Sequence, residues 1–190
     1  MTQGFLRSAS FVIGLGLSAA AFGQANPPGA AVVPSATLSS AELSFAKEAA
    51  IGGQFEVDAG KIAEHSSNPR VKEFGARMVR DHSAAGAKLK EIAAAKGISL
   101  PEGLDAKHKK LLDHLASLRG TEFDRVYMHE MVEDHDQDTK LFENAARTAN
   151  DPQLKRFAED TLRTVREHDK LAHDVSASIS GTGTSRSSAR

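Results

Sequence analysis

The hydrophobic pattern of this chain is that of a helical protein. Apolar residues recur at intervals of three and four in five segments, which is the spacing of one face of an α-helix. Glycine, proline, asparagine and aspartate separate the segments, and these residues commonly end or begin helices. The pattern predicts five helices, with bounds near residues 39–66, 69–96, 105–119, 121–149 and 152–179.

Two of the predicted helix starts carry a capping-box sequence. Ser39 is followed three residues later by Glu42, and Thr121 is followed by Asp124 in the same way. In such a box the first side chain accepts from the backbone of the third helical residue, whose own side chain returns the bond. The first long helix is therefore expected to begin at Ser39, and the fourth at Thr121 after the break at Gly120.

Two segments of the chain repeat the same hairpin signal. Residues 68–75 and 151–158 both read Asn/Asp-Pro-x-apolar-Lys-x-Phe-small. In each, the Asn or Asp caps a new helix and the proline takes its first position, where its missing N–H is no loss. The match indicates duplication of a paired-helix unit. Two such hairpins joined by a crossover predict an all-α, ferritin-like four-helix bundle over residues 39–179, with 105–119 as a short accessory crossover helix.

The two ends of the chain read as segments outside the bundle. A positive charge at Arg7, an apolar stretch behind it and the small-x-small sequence Ala21-Phe22-Gly23 are typical of a secretory signal peptide. We therefore expect a cleaved signal peptide over residues 1–23, a periplasmic protein, and no stable membrane insertion after cleavage. The Ala/Pro-rich residues 24–38 predict a flexible linker, and residues 180–190 predict a disordered tail.

The composition argues against several classes of function. The 190-residue chain has a formal net charge of -1, without the basic excess of nucleic-acid binders, so no nucleic-acid partner is expected. It contains no cysteine, and hence neither a disulfide nor a thiolate metal ligand. Glycine-rich phosphate loops, nucleophile elbows and haem attachment motifs are also missing from the sequence. A protein partner and a homo-oligomer are left open.

The fourth predicted helix has a polar layer in the middle of its apolar face. On a helical wheel this face consists mainly of aromatic and aliphatic residues, yet Asp134, His135 and Asp138 point to the same side. Burying polar groups without partners is costly. Partners for these side chains are therefore expected on the other helices.

Distances from the two hairpin turns place candidate partners at one height. Glu56 and His82 are each thirteen residues from Pro69 in the first turn, while His135 and His168 are equidistant from the second. Because a helix rises about 1.5 Å per residue, both pairs are expected near the middle of the bundle. The sequence therefore predicts one buried layer of His and carboxylate side chains.

Imidazoles and carboxylates inside a bundle are ligands that Zn, Fe, Mn and Cu accept, so the layer predicts a divalent transition-metal site. Val79 and Val165 stand where the Glu-x-x-His pattern of di-iron proteins needs Glu, which favours a mononuclear or irregular site. The expected metal ligands are Glu56, His82, His135, Asp138 and His168. The residues expected to support them from inward positions are Glu48, Asp81, Asp134 and Tyr127.

Most of these residues lie in motifs that resemble a family of secreted ferritin-like proteins catalogued as domain of unknown function 4142. The motifs, in order, are Gly53-x-x-Glu56, Met78-Val79-x-Asp81-His82, Tyr127-Met128-x-x-Met131-Val132-x-Asp134-His135 and His168. The resemblance spans roughly residues 40–175 and implies a periplasmic helical bundle, without an established activity.

Two classes of function fit the sequence, and it does not decide whether the protein is an enzyme. In the first, the layer binds a metal in a metal-handling or redox protein, for example in a stress response. In the second, a non-enzymatic envelope protein binds a partner, and the layer is structural, with Glu56 paired to His82 and Asp138 to His168. The other histidines are expected at solvated positions: His65, His108, His114, His129 and His173.

Overall fold

The computed structural model describes residues 37–181, and all regular secondary structure within them is helical. The all-α prediction is confirmed for this part of the chain. The predicted signal peptide, most of the predicted linker and residues 182–190 lie outside the described residues. The five helices are α1 (Ser40–Ala63), α2 (Pro69–Ala95), α3 (Ala106–Ser117), α4 (Gly120–Thr148) and α5 (Pro152–Gly181).

Several helix starts follow the capping signals. The Ser39 side chain accepts from the backbone N–H of Glu42, and the Glu42 carboxylate accepts from the Ser39 N–H at 2.8 Å. This is the predicted capping box. Asn68 accepts from Arg70 N–H at 3.0 Å at the start of α2, with Pro69 in the first position. At the other end of the chain, α5 continues to Gly181, so the first two residues of the predicted tail are helical.

The capping box predicted at Thr121 is wrong. Helix α4 begins one residue earlier, at Gly120, where a φ of 57° allows the sharp turn from α3. Its N-cap, Arg119, makes no side-chain capping bond. The Asp124 carboxylate instead accepts a hydrogen bond of 2.6 Å from the Ser66 hydroxyl. Asp124 therefore makes a long-range hydrogen bond to the α1–α2 turn in place of a local capping bond.

The helices pack as two antiparallel hairpins, α1 with α2 and α4 with α5. The hairpins meet through α2 against α5 and α1 against α4, while α3 packs on α1 and α4. Two glycines bring α1 and α2 close together. A Cβ on Gly75 would lie 2.6 Å from the Cβ of Ala63, and one on Gly60 would lie 2.8 Å from the Gly75 carbonyl oxygen. Only glycine fits at these two positions.

The apolar core consists of two clusters. One contains Phe55, Phe74, Met78, Tyr127 and Met131, and the other contains Phe45, Leu89, Phe142, Phe157 and Val165. Along each of α2, α4 and α5, the predicted site histidine lies between residues of the two clusters. The polar layer therefore separates two apolar halves. Within residues 37–181, none of the helices has the length and hydropathy needed to cross a membrane.

A buried polar cluster holds the helix ends together at one end of the molecule. Both hairpins meet at Glu42, because its second carboxylate oxygen accepts from the backbone N–H groups of Asn150 and Asp151 at 2.9 and 2.8 Å. Asp151 caps α5 through Leu154 N–H and also binds Lys96 Nζ at 2.5 Å. Partial burial acts to raise the pKa of Glu42, but these hydrogen bonds outweigh it and lower the pKa to about 2.

Candidate metal site

Each of the four long helices contributes one buried ionisable side chain to the layer. Glu56 comes from α1, His82 from α2, His135 from α4 and His168 from α5. Glu56, His135 and His168 are fully buried, and His82 is 6% exposed. The ring centres of the three histidines lie 5.2 to 5.8 Å apart. The turn distances in the sequence therefore identified residues that do meet.

Glu56 lies at the centre of the layer. Its Oε2 is 2.7 Å from His82 Nδ1, and its Oε1 is 3.2 Å from His135 Nε2. The first of these contacts joins α1 to α2, and the second joins α1 to α4. One carboxylate thus faces imidazole nitrogens from two helices that belong to different hairpins.

The hydrogen bonds behind His82 determine where its proton lies. Asp81 can only accept, because bonds from His168 and Arg80 outweigh its partial burial and keep its pKa below the usual value. His168 therefore donates from Nε2 to Asp81 Oδ2 at 2.9 Å, which leaves its Nδ1 as an acceptor. His82 then donates from Nε2 to that nitrogen at 3.2 Å. The Nδ1 of neutral His82, which faces Glu56, carries no proton.

His135 is fixed in the same way from its own helix. The backbone carbonyl of Met131 accepts from His135 Nδ1 at 2.8 Å. The Nε2 of the neutral ring therefore has a free lone pair, and it points toward Glu56. Both imidazole nitrogens that face the carboxylate lack a proton. Neither imidazole therefore offers a hydrogen to the Glu56 carboxylate.

The hydrogen-bond geometry agrees with this proton assignment. Both carboxylate oxygens of Glu56 and the Nε2 of His135 are buried and have no hydrogen-bond partner. The distances of 2.7 and 3.2 Å are short enough for hydrogen bonds, but neither contact has the required geometry. Asp134 Oδ2 is a further buried oxygen without a partner. Such orphaned groups are rare in folded proteins and often mark a functional site or an ion.

Two overlapping sets of donors could each surround a single ion. In one set, ligand atoms of Glu56, Asp134 and His135 all lie within 4.8 Å of one another. In the other set, the same holds for the three layer histidines. Asp138 belongs to neither set among the described residues. It is half-buried and lines a cavity of about 10 Å³ together with Glu56 and His82, room for about one water-sized group.

Burial determines the charge of the layer. It raises the pKa of Glu56 well above the usual value, and the nearby Asp134 adds to the rise. It lowers the pKa of all three histidines, well below the usual value for His135 and to about 4 for His168. The imidazoles are therefore neutral at physiological pH, which is the form that binds metals.

Helix α3 covers the side of the site near Asp134. The His108 ring packs against Phe55 with centres 5.4 Å apart, so His108 is half-buried and not solvated as predicted. Burial raises the pKa of Asp134, while the charges of His108 and Lys107 oppose the rise. The sequence missed this contact because His108 lies in a run of lysines, Lys107 to Lys110, and only the fold brings the first turn of α3 over α1.

The predicted supporting residues differ from one another in their burial and in their contacts. Glu48 is exposed, so its predicted inward orientation is wrong; it lies at the edge of the helix face that contains Phe45. Asp81 touches His168, as described above. Tyr127 is fully buried, and its hydroxyl has no partner. The Phe74 ring packs edge-on against both Tyr127 and His135.

Two grooves lead from the surface to His82. One has a volume of about 820 Å³, lies between α2 and α5, and has both Arg77 and Asp81 in its wall. The other has a volume of about 750 Å³ and passes Gly53 and Gly86 between α1 and α2. His82 is therefore the layer residue that both grooves reach.

A helical protein with a buried layer of neutral histidines and carboxylates is the class that these features define. The chain belongs to the family named domain of unknown function DUF4142, which its residues 27–175 match. The resemblance seen in the sequence motifs is thereby confirmed. No curated protein matches the chain.

Solved structures similar to this one are also helical. The DUF305 fragment from Deinococcus radiodurans has 13% identity and a TM-score of 0.65, with 74% of this chain and 98% of that chain covered. CopM in the Cu(II)-bound form has 19% identity and a TM-score of 0.62, with 72% and 96% covered. CopM in the Cu(I)-bound form gives a TM-score of 0.60 at 19% identity, with 70% and 93% covered. At these identities the likeness shows a shared fold.

Proposed function

We propose that this protein is an exported, ferritin-like four-helix bundle that binds a divalent transition metal in its interior and serves in metal handling or redox chemistry of the periplasm. The ligands are Glu56, His82 through Nδ1, His135 through Nε2 and Asp134. Two hairpins joined by a crossover that contains α3 support the bundle assignment. The predicted signal peptide supports the location.

The proton count at Glu56 is the observation that carries the proposal. Two unprotonated imidazole nitrogens face its two oxygens at 2.7 and 3.2 Å. Even if burial keeps Glu56 protonated, one proton cannot fill two contacts, so one pair of lone pairs stays opposed. A cation satisfies both contacts at once. Ligand atoms around a tetrahedral ion are about 3.3 Å apart at the usual bond lengths of about 2.0–2.2 Å, which is close to the 3.2 Å between Glu56 Oε1 and His135 Nε2.

The donor atoms favour particular metals. Imidazole nitrogen with carboxylate oxygen suits Zn, Cu and Fe, and carboxylates also suit Mn. Soft sulfur ligands select Cu(I), and the chain has no cysteine to supply a thiolate. CopM has been solved in Cu(II)-, Cu(I)- and Ag-bound forms, which makes copper the first metal to test in this chain, with zinc as the second. A bound divalent ion would act as a Lewis acid, and copper or iron could also exchange electrons.

A structural role is the second candidate, and one observation favours it. The chain of hydrogen bonds from His82 through His168 to Asp81 joins α2 to α5 and is complete without a metal. In that case the layer fixes the register of the bundle, and the protein acts through a partner at its surface. The orphaned atoms of Glu56, Asp134 and His135 are what this alternative leaves unexplained.

Thermal unfolding with and without metal separates the two candidates. At a free Cu²⁺ or Zn²⁺ concentration of about 100 times Kd, the metal adds about 2.7 kcal/mol of stability, or about 5–10 °C in Tm for a domain of this size. His135→Ala should greatly reduce that increment, and Glu133→Gln, an exposed change on the same helix, should retain it. If the layer is structural, His135→Ala lowers Tm equally with and without metal, and the wild type gains nothing from either ion.

A further inference from the structure

The role of His168 follows from its two ring nitrogens. We infer that His168 is not a metal ligand but a positioning residue, which with Asp81 holds His82 in the tautomer that presents a bare Nδ1 to the metal beside Glu56. The inference rests on the proposed function and refines it. It also reverses the expectation from sequence that His168 ligates the metal.

Both nitrogens of His168 are already in use. Its Nε2 lies 2.9 Å from Asp81 Oδ2, and its Nδ1 lies 3.2 Å from His82 Nε2. The ring is fully buried, and none of its nitrogens appears among the buried atoms that lack a partner. Glu56 and His135 do appear there. The unsatisfied Glu56 Oε2 lies at Nδ1, the other nitrogen of the His82 ring.

Two arginine side chains near the surface hold the Asp81 carboxylate in place. Arg80 Nε lies 2.9 Å from Asp81 Oδ1, and Arg77 Nε lies 3.4 Å from Asp81 Oδ2. Arg77 is in turn tied to Glu167 of α5 at 2.7 Å. The carboxylate is thus oriented toward His168, and its side chain remains 21% exposed. A carboxylate or a carbonyl behind a histidine fixes the ring orientation and tautomer at many metal sites. Here Asp81 fixes the His82 ring indirectly, through His168.

The consequence of losing His168 follows from the positions of the atoms. Without an acceptor at Nδ1 of residue 168, the proton of His82 has no partner on the Nε2 side. It then moves to Nδ1, the ring nitrogen that faces Glu56 Oε2 at 2.7 Å. A metal ion must displace that proton before it can bind. Loss of such outer residues typically weakens metal binding about 10- to 100-fold.

Copper electron paramagnetic resonance counts the coordinated nitrogens directly. The wild-type protein, loaded with one equivalent of Cu²⁺, should show hyperfine coupling to the nitrogens of two imidazoles, those of His82 and His135. His135→Ala should remove one of them. His168→Gln keeps a carbonyl that can accept from His82 and should keep both, with Kd close to the wild-type value. His168→Leu should keep the copper stoichiometry and raise Kd about 10- to 100-fold.

Several outcomes would overturn the inference, and they differ from failure of the proposed function. Three coordinated imidazoles in the wild type, one of which disappears in His168→Gln, would make His168 a ligand. An unchanged Kd in His168→Leu would remove its positioning role. Asp81→Ala is the second variant in case His168→Leu does not fold, and it should also weaken copper binding with both nitrogens retained. If the wild type binds no copper or zinc at all, the proposed function itself has failed.

Discussion

Replacing Glu42 with Gln tests how the two hairpins are joined. The Glu42 carboxylate accepts from Ser39 N–H and Oγ at one oxygen and from Asn150 and Asp151 N–H at the other. It is 7% exposed. Glutamine keeps the size of the side chain, but its NH₂ group donates and cannot accept a hydrogen bond. At one oxygen position the NH₂ group leaves the backbone N–H of Ser39 without an acceptor, and at the other it leaves those of Asn150 and Asp151 without one.

The pKa of Glu42 sets the size and the pH range of the effect. Hydrogen bonds outweigh partial burial and lower its pKa from 4.5 to about 2 in the folded protein. A lowered carboxyl pKa stabilises the fold above the unfolded pKa, and the contribution disappears as pH falls through the folded pKa. The shift corresponds to about 3 kcal/mol at neutral pH, which solvent screening at the end of the bundle reduces to about 1–2 kcal/mol.

Denaturant unfolding of the wild type and Glu42→Gln at several pH values measures this contribution. The difference in free energy of unfolding should be about 1–2 kcal/mol at neutral pH. It should shrink between about pH 4.5 and pH 2 as the wild-type carboxylate takes up its proton. Glu48→Gln, an exposed change on the same helix, is the control and should show little effect at any pH. A Glu42→Gln effect that does not change with pH would refute the reasoning.

Three further predictions follow. Gly75→Ala should lower the free energy of unfolding by about 1–3 kcal/mol in denaturant titration, because the new Cβ would lie 2.6 Å from the Cβ of Ala63. Gly86→Ala is the control and should not destabilise the protein, because a Cβ at Gly86 meets open space. Zinc affinity in calorimetry should fall as the pH is lowered, because burial raises the pKa of Glu56 above its usual value and a proton competes with the ion for the carboxylate; an affinity that does not change with pH would contradict this. Mass spectrometry of the exported protein should find Gln24 at its N-terminus, and retention of residues 1–23 would instead support an anchor.

The helical fold could be predicted from sequence because its signals are local. The Asn68-Pro69 turn and the Ser39 box depend on residues within one turn of the helix, so no tertiary information is needed. Thr121 shows where such reasoning fails. Its box partner, Asp124, binds Ser66 from a different hairpin, and a competing long-range contact leaves no local trace in the sequence.

The layer could be predicted in part because hairpin geometry fixes height. Equal distances from a turn were sufficient to pair Glu56 with His82. Whether a side chain at the edge of a helix face points inward is harder to predict, because a helical wheel does not give the width of the buried face. The helical wheel places Glu48 inward for this reason, but its side chain is exposed.

The separate roles of the layer residues could not be predicted at all. Whether a histidine nitrogen is bare depends on what lies behind the ring, and for His135 that group is a backbone carbonyl, which no side-chain pattern reveals. For His82 it is His168, which the sequence suggests as a ligand because it sits at the same height. Asp134 appeared to be a supporting residue, yet its unpartnered oxygen lies with Glu56 and His135.

The most direct test of the metal site is elemental analysis of the untagged protein purified from the periplasm, together with Glu56→Gln prepared in parallel. Glutamine keeps the volume of the buried side chain and removes the charge that a cation requires. The wild type should retain about one equivalent of a transition metal per chain after dialysis, and the variant should retain almost none while keeping its helical circular dichroism. A wild type that carries no metal and takes up neither copper nor zinc would contradict the account.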